Sequence, residues 1–231
     1  MVSERTENER TESERTGNKR AEPEMAEPKT ENIIVLASLS PRRNDILKRL
    51  EIPFITKPQN IDETVAKWKL PESVKELAEK KLKNALTDSS LKNMRWFLAA
   101  DTIVSCGKRI IGKPSSAKDA EEFLKFLSGK EHKVITALAL FDRNSGKIIV
   151  KDDTTSVFFS KMGENDIKWY VSTEEWVGAA GGYRIQGKGE FFISHIKGSY
   201  SNVMGLPINL FFSMLYDAGY PVYKSSGSFH E

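Results

Sequence analysis

A single cysteine, Cys106, in 231 residues rules out an internal disulfide framework and fits a reducing compartment. Histidine is also sparse: His132, His195 and His230 stand far apart, and with one cysteine they offer no zinc-like spacing. An excess of one charge is missing too. The net charge of +3 is too mild for a dedicated nucleic-acid binder, although it leaves room for a local basic pocket serving a small anion. No apolar run reaches the roughly 18 residues of a membrane span, the longest being broken by Asp101. A Walker loop and a dinucleotide fingerprint are absent as well, since Gly187-Lys188-Gly189 has neither the spacing nor a preceding strand. These absences point to a cytoplasmic globular protein.

Residues 1–31 have almost no apolar side chains beyond Val2, Met25 and a few alanines, and Glu-Arg-Thr recurs at 4, 9 and 14. With no apolar surface to bury, ordering entropy goes uncompensated, so the expectation is a disordered charged tail. It is rich in Glu and lacks an apolar core, unlike a signal or transit peptide. Residues 32–222 form one expected domain, large enough for a real core, and 223–231 a flexible C-terminal tail.

Within that domain the elements alternate in the manner of an α/β protein. Ile33 to Ala37 is an apolar, β-branched run that breaks at Ser40-Pro41 into Arg42, Arg43 and the helical spacing of Ile46, Leu47 and Leu50. Pro41 suits a first helical position, and Ser38 or Ser40 can offer a hydroxyl to the free N–H groups of that turn. A helix N-terminus beside two arginines suits an anion, most simply phosphate. A capped helix with two solvated arginines reads equally well from these residues alone.

Further on, Pro53 to Ile55 predicts a short strand, and Pro71 opens a helix with apolar Val74, Leu77, Ala78, Leu82 and Ala85, its other faces carrying Lys80, Lys81 and Lys83. Trp96 to Val104 predicts a buried strand. Ser116-x-x-Asp119 reads as a capping box for a helix ending at Gly129. Arg143 to Gly146 is a hairpin signal between strands 133–141 and 147–159. A helix over 164–171, a glycine-rich stretch over 178–189, a strand over 191–196 and a helix over 207–218 complete the chain. The hairpin brings antiparallel pairing into the sheet, so a mixed sheet is expected.

Asp101 is the chemical outlier, because a carboxylate inside an apolar strand is costly unless paired, protonated or metal-bound. Asp62 and Glu63 add two carboxylates in a loop. Carboxylates near a phosphate-binding turn are what a Mg²⁺ site uses, since Mg²⁺ shares oxygen ligands with substrate phosphates. Lys113 is presented on the turn Gly112-Lys113-Pro114, whereas for Lys81 the spacing alone favours a solvated side chain.

The ordered strings LASLSPRR (36–43), IDE (61–63), LAEKK (77–81), AADTIV (99–104), GKP (112–114), LSGKEHKVITALAL (127–140), AGGYRIQGKG (180–189) and GSYSNVMGLP (198–207) resemble the Maf, or septum-formation-inhibitor-like, family of nucleoside triphosphate pyrophosphatases. The resemblance runs from about Ile33 to Tyr220. It implies a mixed, elongated α/β sheet with two lobes around a cleft, usually a homodimer. It implies cleavage of a nucleoside triphosphate to the monophosphate and pyrophosphate with a divalent metal, Mg²⁺ or Mn²⁺; with the mild charge and the lack of a long apolar run, neither nucleic acid nor membrane is an expected partner. By the same resemblance Asp101 is the proton acceptor and a metal ligand, Glu63 a second metal ligand, and Arg42, Lys81 and Lys113 phosphate-binding residues; Ser38 is a further candidate for substrate binding. Arg42, Thr102 and Gln186 match positions tied to selection of dTTP and UTP, and Ile185-Gln186-Gly187 places the chain in that branch. Where many members carry Asp-Lys-Ala-Gly, this chain has Gly178-Ala179-Ala180-Gly181, which removes a carboxylate. Two other readings remain at this point: a pyrophosphatase for 7-methyl-GTP or another modified nucleotide, and a non-catalytic nucleotide-binding regulator of cell division.

Overall fold

A computed structural model describes residues 32–62 and 69–225; Glu63 and the segments 1–31 and 226–231 lie outside them. The first strand, β1 (Ile34–Ala37), is wholly buried and sits between two parallel neighbours, β2 (Phe54–Thr56) and β3 (Trp96–Cys106). Its run of four apolar residues is what burial on both faces requires. The chain reaches β2 through helix α1 (Pro41–Arg49) and returns across β1 to β3 through α2 (Glu72–Leu86). Ile46 and Leu47 of α1 pack with Leu36, Leu98 and Ala100 on one face, while Val74, Ala78, Leu82 and Ala85 of α2 pack with Val35, Phe97, Ala99 and Ala137 on the other. Strand order therefore reverses at β1, with a helix on each face.

The rest of the sheet is antiparallel. β4 (Arg109–Ile111) folds back on β3, and β5 (Glu131–Asp142), β6 (Lys147–Phe159) and β7 (Ile193–Lys197) follow in order, giving seven strands. The sheet is mixed, as the hairpin signal implied. At that hairpin Asp142 accepts from the backbone N–H groups of Asn144 and Ser145, and Gly146 takes the positive φ that closes the turn. Helix α3 (Ala117–Leu127) starts with Ser116 accepting from the Asp119 N–H, but the Asp119 carboxylate reaches back to Ser115 instead of Ser116. Helices α4 (Glu164–Ser172), α5 (Tyr200–Met204), α6 (Ile208–Asp217) and α7 (Val222–Ser225) complete the described chain, α7 spanning the expected boundary at 222. No helix among the described residues is long and apolar enough to cross a membrane.

Three local expectations are corrected. Neither Ser38 nor Ser40 caps α1: Ser38 Oγ accepts from the N–H of Ser40, which precedes the helix, and Ser40 makes no side-chain cap. The last strand begins at Ile193, because Lys188–Phe192 winds into a 3₁₀ segment that turns Phe192 into the core. Strand β4 and helix α5, three and five residues long, were not expected at all.

Candidate active site

Pairing between β1 and β3 stops at Ala37 and Ala99, but β3 runs on to Cys106. Beyond Ala99, until β4 takes up the same edge at Val104, β3 has no strand partner on the β1 side, and this gap lies at the carboxyl end of β1 where strand order reverses. Open α/β sheets form ligand crevices at such a point. A cleft of about 250 Å³ lies there, room for a chain of phosphates rather than for one ion.

Successive residues of a strand face opposite ways, so Asp101 and Thr102 flank this opening from the two faces of the sheet. Asp101 shares the α2 side with Phe97, Ala99 and Ile103. There its Oδ1 accepts from Lys81 Nζ at 2.5 Å, with both side chains about nine-tenths buried. Lys81 is thus not solvated. It stands on the buried stripe Val74, Leu77, Ala78, Leu82 and Ala85, and the spacing 74-77-78-81-82-85 carries that signal, whereas Lys80 and Lys83 point outward, Lys80 to the carbonyl of Asp62 and Lys83 to Glu79. A buried carboxylate is tolerable because this ammonium meets it.

Thr102 faces the other side and enters a polar network. Arg43 Nη2 donates to Thr102 Oγ1 (2.9 Å), its Nη1 to Ser38 Oγ (2.8 Å) and its Nε to the carbonyl of Gly205 (2.8 Å). Thr102 also bonds Thr136, which donates to the carbonyl of Asn202, and Asn202 donates to Val134 O and Thr155 Oγ1. This network ties α1 and the turn after β1 to β3, β5, β6 and α5 beneath the cleft. Gly205 is held at φ 103° with its Cα against Thr102, a place where a Cβ would sit 3.2 Å from the hydroxyl. Ser38 has both acceptor positions taken, by Arg43 and by the Ser40 N–H, so only its O–H is left to offer a ligand.

The remaining predicted residues come from three directions. Arg42, on the uncapped first turn of α1, lines the cleft and donates to Gly178 O. Lys113 is exposed on its turn, which the glycine loop braces through the bond from Gly181 N–H to Gly112 O. Gly181 sits at φ 77°, and a Cβ there would meet Val104 at 3.0 Å, so the close approach requires glycine. Gln186 is exposed on the cleft wall and makes no hydrogen bond to another described residue, which removes the reading of it as a backbone cap for the glycine loop. Ser38, Arg42, Lys81, Asp101, Thr102, Lys113 and Gln186 therefore all line one cleft. Glu63 lies outside the described residues.

Sequence reasoning missed Arg43 and Arg184. Arg43 is the structural member of the Arg-Arg pair, buried under the turn, and adjacent positions on a helix point about 100° apart. Arg184 lines the cleft from the glycine-rich loop, where its charge was the available signal. Burial first, and the neighbouring Arg184 guanidinium second, push the pKa of Arg42 below its ordinary value. Among the residues lining the cleft, five cations (Arg42, Arg43, Lys81, Lys113 and Arg184) face one carboxylate, Asp101.

A mixed α/β sheet with a cation-lined crevice at its switch point, holding one lysine-paired carboxylate, defines a protein built around a polyanionic ligand. The particular lineage is clear from comparison: the model of the Maf family, described as Maf-like protein, matches residues 33–218, and the chain belongs to that family. The chain is similar to proteins named dTTP/UTP pyrophosphatase. That of Zymomonas mobilis subsp. mobilis is 42% identical over 200 residues, covering 86% of this chain and 96% of the relative. That of Syntrophus aciditrophicus is 40% identical over 189 residues, 80% of this chain and 90% of the relative. The one from Pyrococcus furiosus is 43% identical over 176 residues, 76% and 90% of the two chains.

Proposed function

We propose that this protein hydrolyses dTTP and UTP to the nucleoside monophosphate and pyrophosphate. The observation that carries the reading is the charge inventory of the cleft, five cations around one buried carboxylate, in a chain whose relatives bear that activity in their names. A nucleoside triphosphate brings about four negative charges near neutral pH, which this lining complements.

The chemistry asks little covalent work of the protein. Water attacks the α-phosphorus, the bond to the bridging oxygen breaks, and pyrophosphate leaves, so catalysis consists of positioning and of neutralising charge on phosphate oxygens. Asp101 is held by Lys81 on a rigid strand, and it orients the water and accepts its proton. Arg42, from α1, and Lys113, from its turn, both line the cleft and reach the phosphates, and the first turn of α1, free of any side-chain cap, adds its partial positive charge. Gln186, with its amide uncommitted, reads the O4 and N3–H edge that uracil and thymine share and cytosine lacks.

Mg²⁺ or Mn²⁺ fits this donor set. Among the described residues only Lys81 donates to the Asp101 carboxylate, and it does so at Oδ1, leaving Oδ2 as an oxygen ligand beside the substrate's own phosphates. Glu63 is the second proposed carboxylate. Such an ion supplies further charge neutralisation and a lowered pKa for its bound water.

A pyrophosphate-release assay over UTP, dTTP, CTP and 7-methyl-GTP with each metal tests the proposal. Pyrophosphate from UTP and dTTP well above that from CTP is the expected result. Preferred release from 7-methyl-GTP would move the substrate, and binding of UTP without any release would make the protein a nucleotide-binding regulator.

A further inference from the structure

Arg184 is unassigned by the family resemblance, and its surroundings single it out. Between Glu175 and Lys188 it is the only charged residue in the chain. The loop also lacks the Asp and Lys that stand in the Asp-Lys-Ala-Gly pattern, having Gly178 and Ala179 in their place. Its Nη2 donates to Val177 O at 2.9 Å, while Arg42 Nη2 donates to the next carbonyl along, Gly178 O, at 3.3 Å. Two guanidiniums anchored on consecutive carbonyls stand side by side on one wall of the cleft. Among the described residues neither forms an ion pair with a carboxylate, and Arg184 Nε is buried with no acceptor there.

Two adjacent, partly desolvated cations repel each other, and the lowered pKa of Arg42 reports that repulsion as its second cause after burial. An anion bound between the two would relieve that repulsion. Gly178, whose carbonyl accepts from Arg42, adopts φ 69°, and a Cβ there would meet nothing within 4 Å, so the loop is uncrowded at this residue. Each arginine spends an Nη2 donor on the loop, and the rest of its Nη1/Nη2 fork matches phosphate oxygens two at a time.

We propose that Arg184 and Arg42 form a two-arginine clamp on the pyrophosphate half of the substrate, the half that becomes the leaving group. This builds on the reading of the cleft as a nucleoside triphosphate site. In that role Arg184 supplies, from position 184, the cation that the loop lacks at position 179. The clamp takes up charge that grows on the leaving group as the bond to the α-phosphorus breaks, and so acts on turnover as well as on binding.

The test compares the full-length protein with Arg184→Gln and Arg184→Lys, using inorganic pyrophosphate, UMP and UTP as probes. Calorimetric binding of pyrophosphate needs no turnover, so it separates the clamp from the hydrolytic reading: the parent can fail to hydrolyse any nucleotide and still bind pyrophosphate through both arginines. The expected result is that Arg184→Gln weakens pyrophosphate about tenfold or more and lowers kcat/KM for UTP at least as much. UMP binding and thermal stability should stay within about twofold and a degree or two of the parent, with Arg184→Lys intermediate. Unchanged pyrophosphate binding in Arg184→Gln overturns the clamp. So does a loss that falls on UMP as heavily as on pyrophosphate, which would place Arg184 on the nucleoside side. A melting temperature that drops together with all three ligands, unrescued by lysine, would reduce Arg184 to a loop brace through Val177 and overturn it as well.

Discussion

Replacing Asp101 and Lys81 singly and together separates what the pair does for the fold from what it does for the reaction. The two side chains are 10% and 11% exposed and meet at 2.5 Å, so Asp101→Asn takes away the charge that faces the Lys81 ammonium across this contact, and Lys81→Met takes away the ammonium that faces the Asp101 carboxylate. Unpairing a buried ion typically costs about 3–5 kcal/mol; with the cleft mouth adjoining, the lower end applies, about 3 kcal/mol for each single change. The double variant Asp101→Asn with Lys81→Met carries no buried charge at this point and should recover most of that loss, giving a coupling energy of about 2–3 kcal/mol. Turnover behaves differently. Loss of a general base costs about 10²–10⁴ in rate, so pyrophosphate release should stay depressed at least about a hundredfold in Asp101→Asn and in the double variant alike. Urea unfolding gives the stabilities and pyrophosphate release the rates. Additive destabilisation in the double variant would show that the pair is not energetically coupled. Turnover within about tenfold of the parent in a folded Asp101→Asn protein would move the base elsewhere, with Glu63 next in line.

Gln186→Ala should narrow the preference for UTP and dTTP over CTP through kcat/KM while leaving thermal stability nearly unchanged, because the side chain is exposed and makes no described hydrogen bond. An unaltered preference would assign base selection to Arg42, Thr102 or the shape of the cleft. His132 is buried against Phe159 and Tyr183, and desolvation pushes its pKa from 6.5 down to about 4. The unfolded chain therefore binds a proton that the folded protein refuses between those values. Its contribution to stability is complete above about pH 6.5 and falls by about 3 kcal/mol as pH drops to 4, a slope that His132→Gln should remove from the difference in unfolding free energy between the two proteins. Asn202→Ala deletes the donor shared by Val134 O and Thr155 Oγ1 and should cost about 2 kcal/mol in urea unfolding, whereas a change under about 0.5 kcal/mol would mean the network beneath Arg43 contributes little.

Much of this architecture is legible in the amino acids because burial leaves a periodic trace. The run 96–104 is apolar on both parities, as a strand covered on both faces must be, and Asp101 stands out against it for the same reason. Arg143 to Gly146 carries the turn chemistry that the hairpin uses. What did not show is where one strand stops relative to another. Strand alternation alone sends Asp101 and Thr102 to opposite faces, and only the end of β1 at Ala37, set by the chain's turn into Pro41, lets both reach one cleft. Arg42 and Arg43 are likewise indistinguishable as letters; packing of Ile46 and Leu47 fixes the rotation of α1 and so decides which arginine is buried. Lys81 was legible in principle, three residues beyond Ala78 on the apolar stripe, but a lysine there reads as solvated until its carboxylate partner on another element is known. Arg184 was hidden by the glycines around it, which mark a loop without saying which wall of the cleft that loop will build.

The site of attack is the most direct test of the account. Hydrolysis of UTP by the purified protein in ¹⁸O-labelled water, followed by mass spectrometry of the products, reports which phosphorus the water meets. Attack at the α-phosphorus, beside Asp101, predicts one labelled oxygen in UMP and none in pyrophosphate. Label in the pyrophosphate, or UDP and orthophosphate as products, would contradict it.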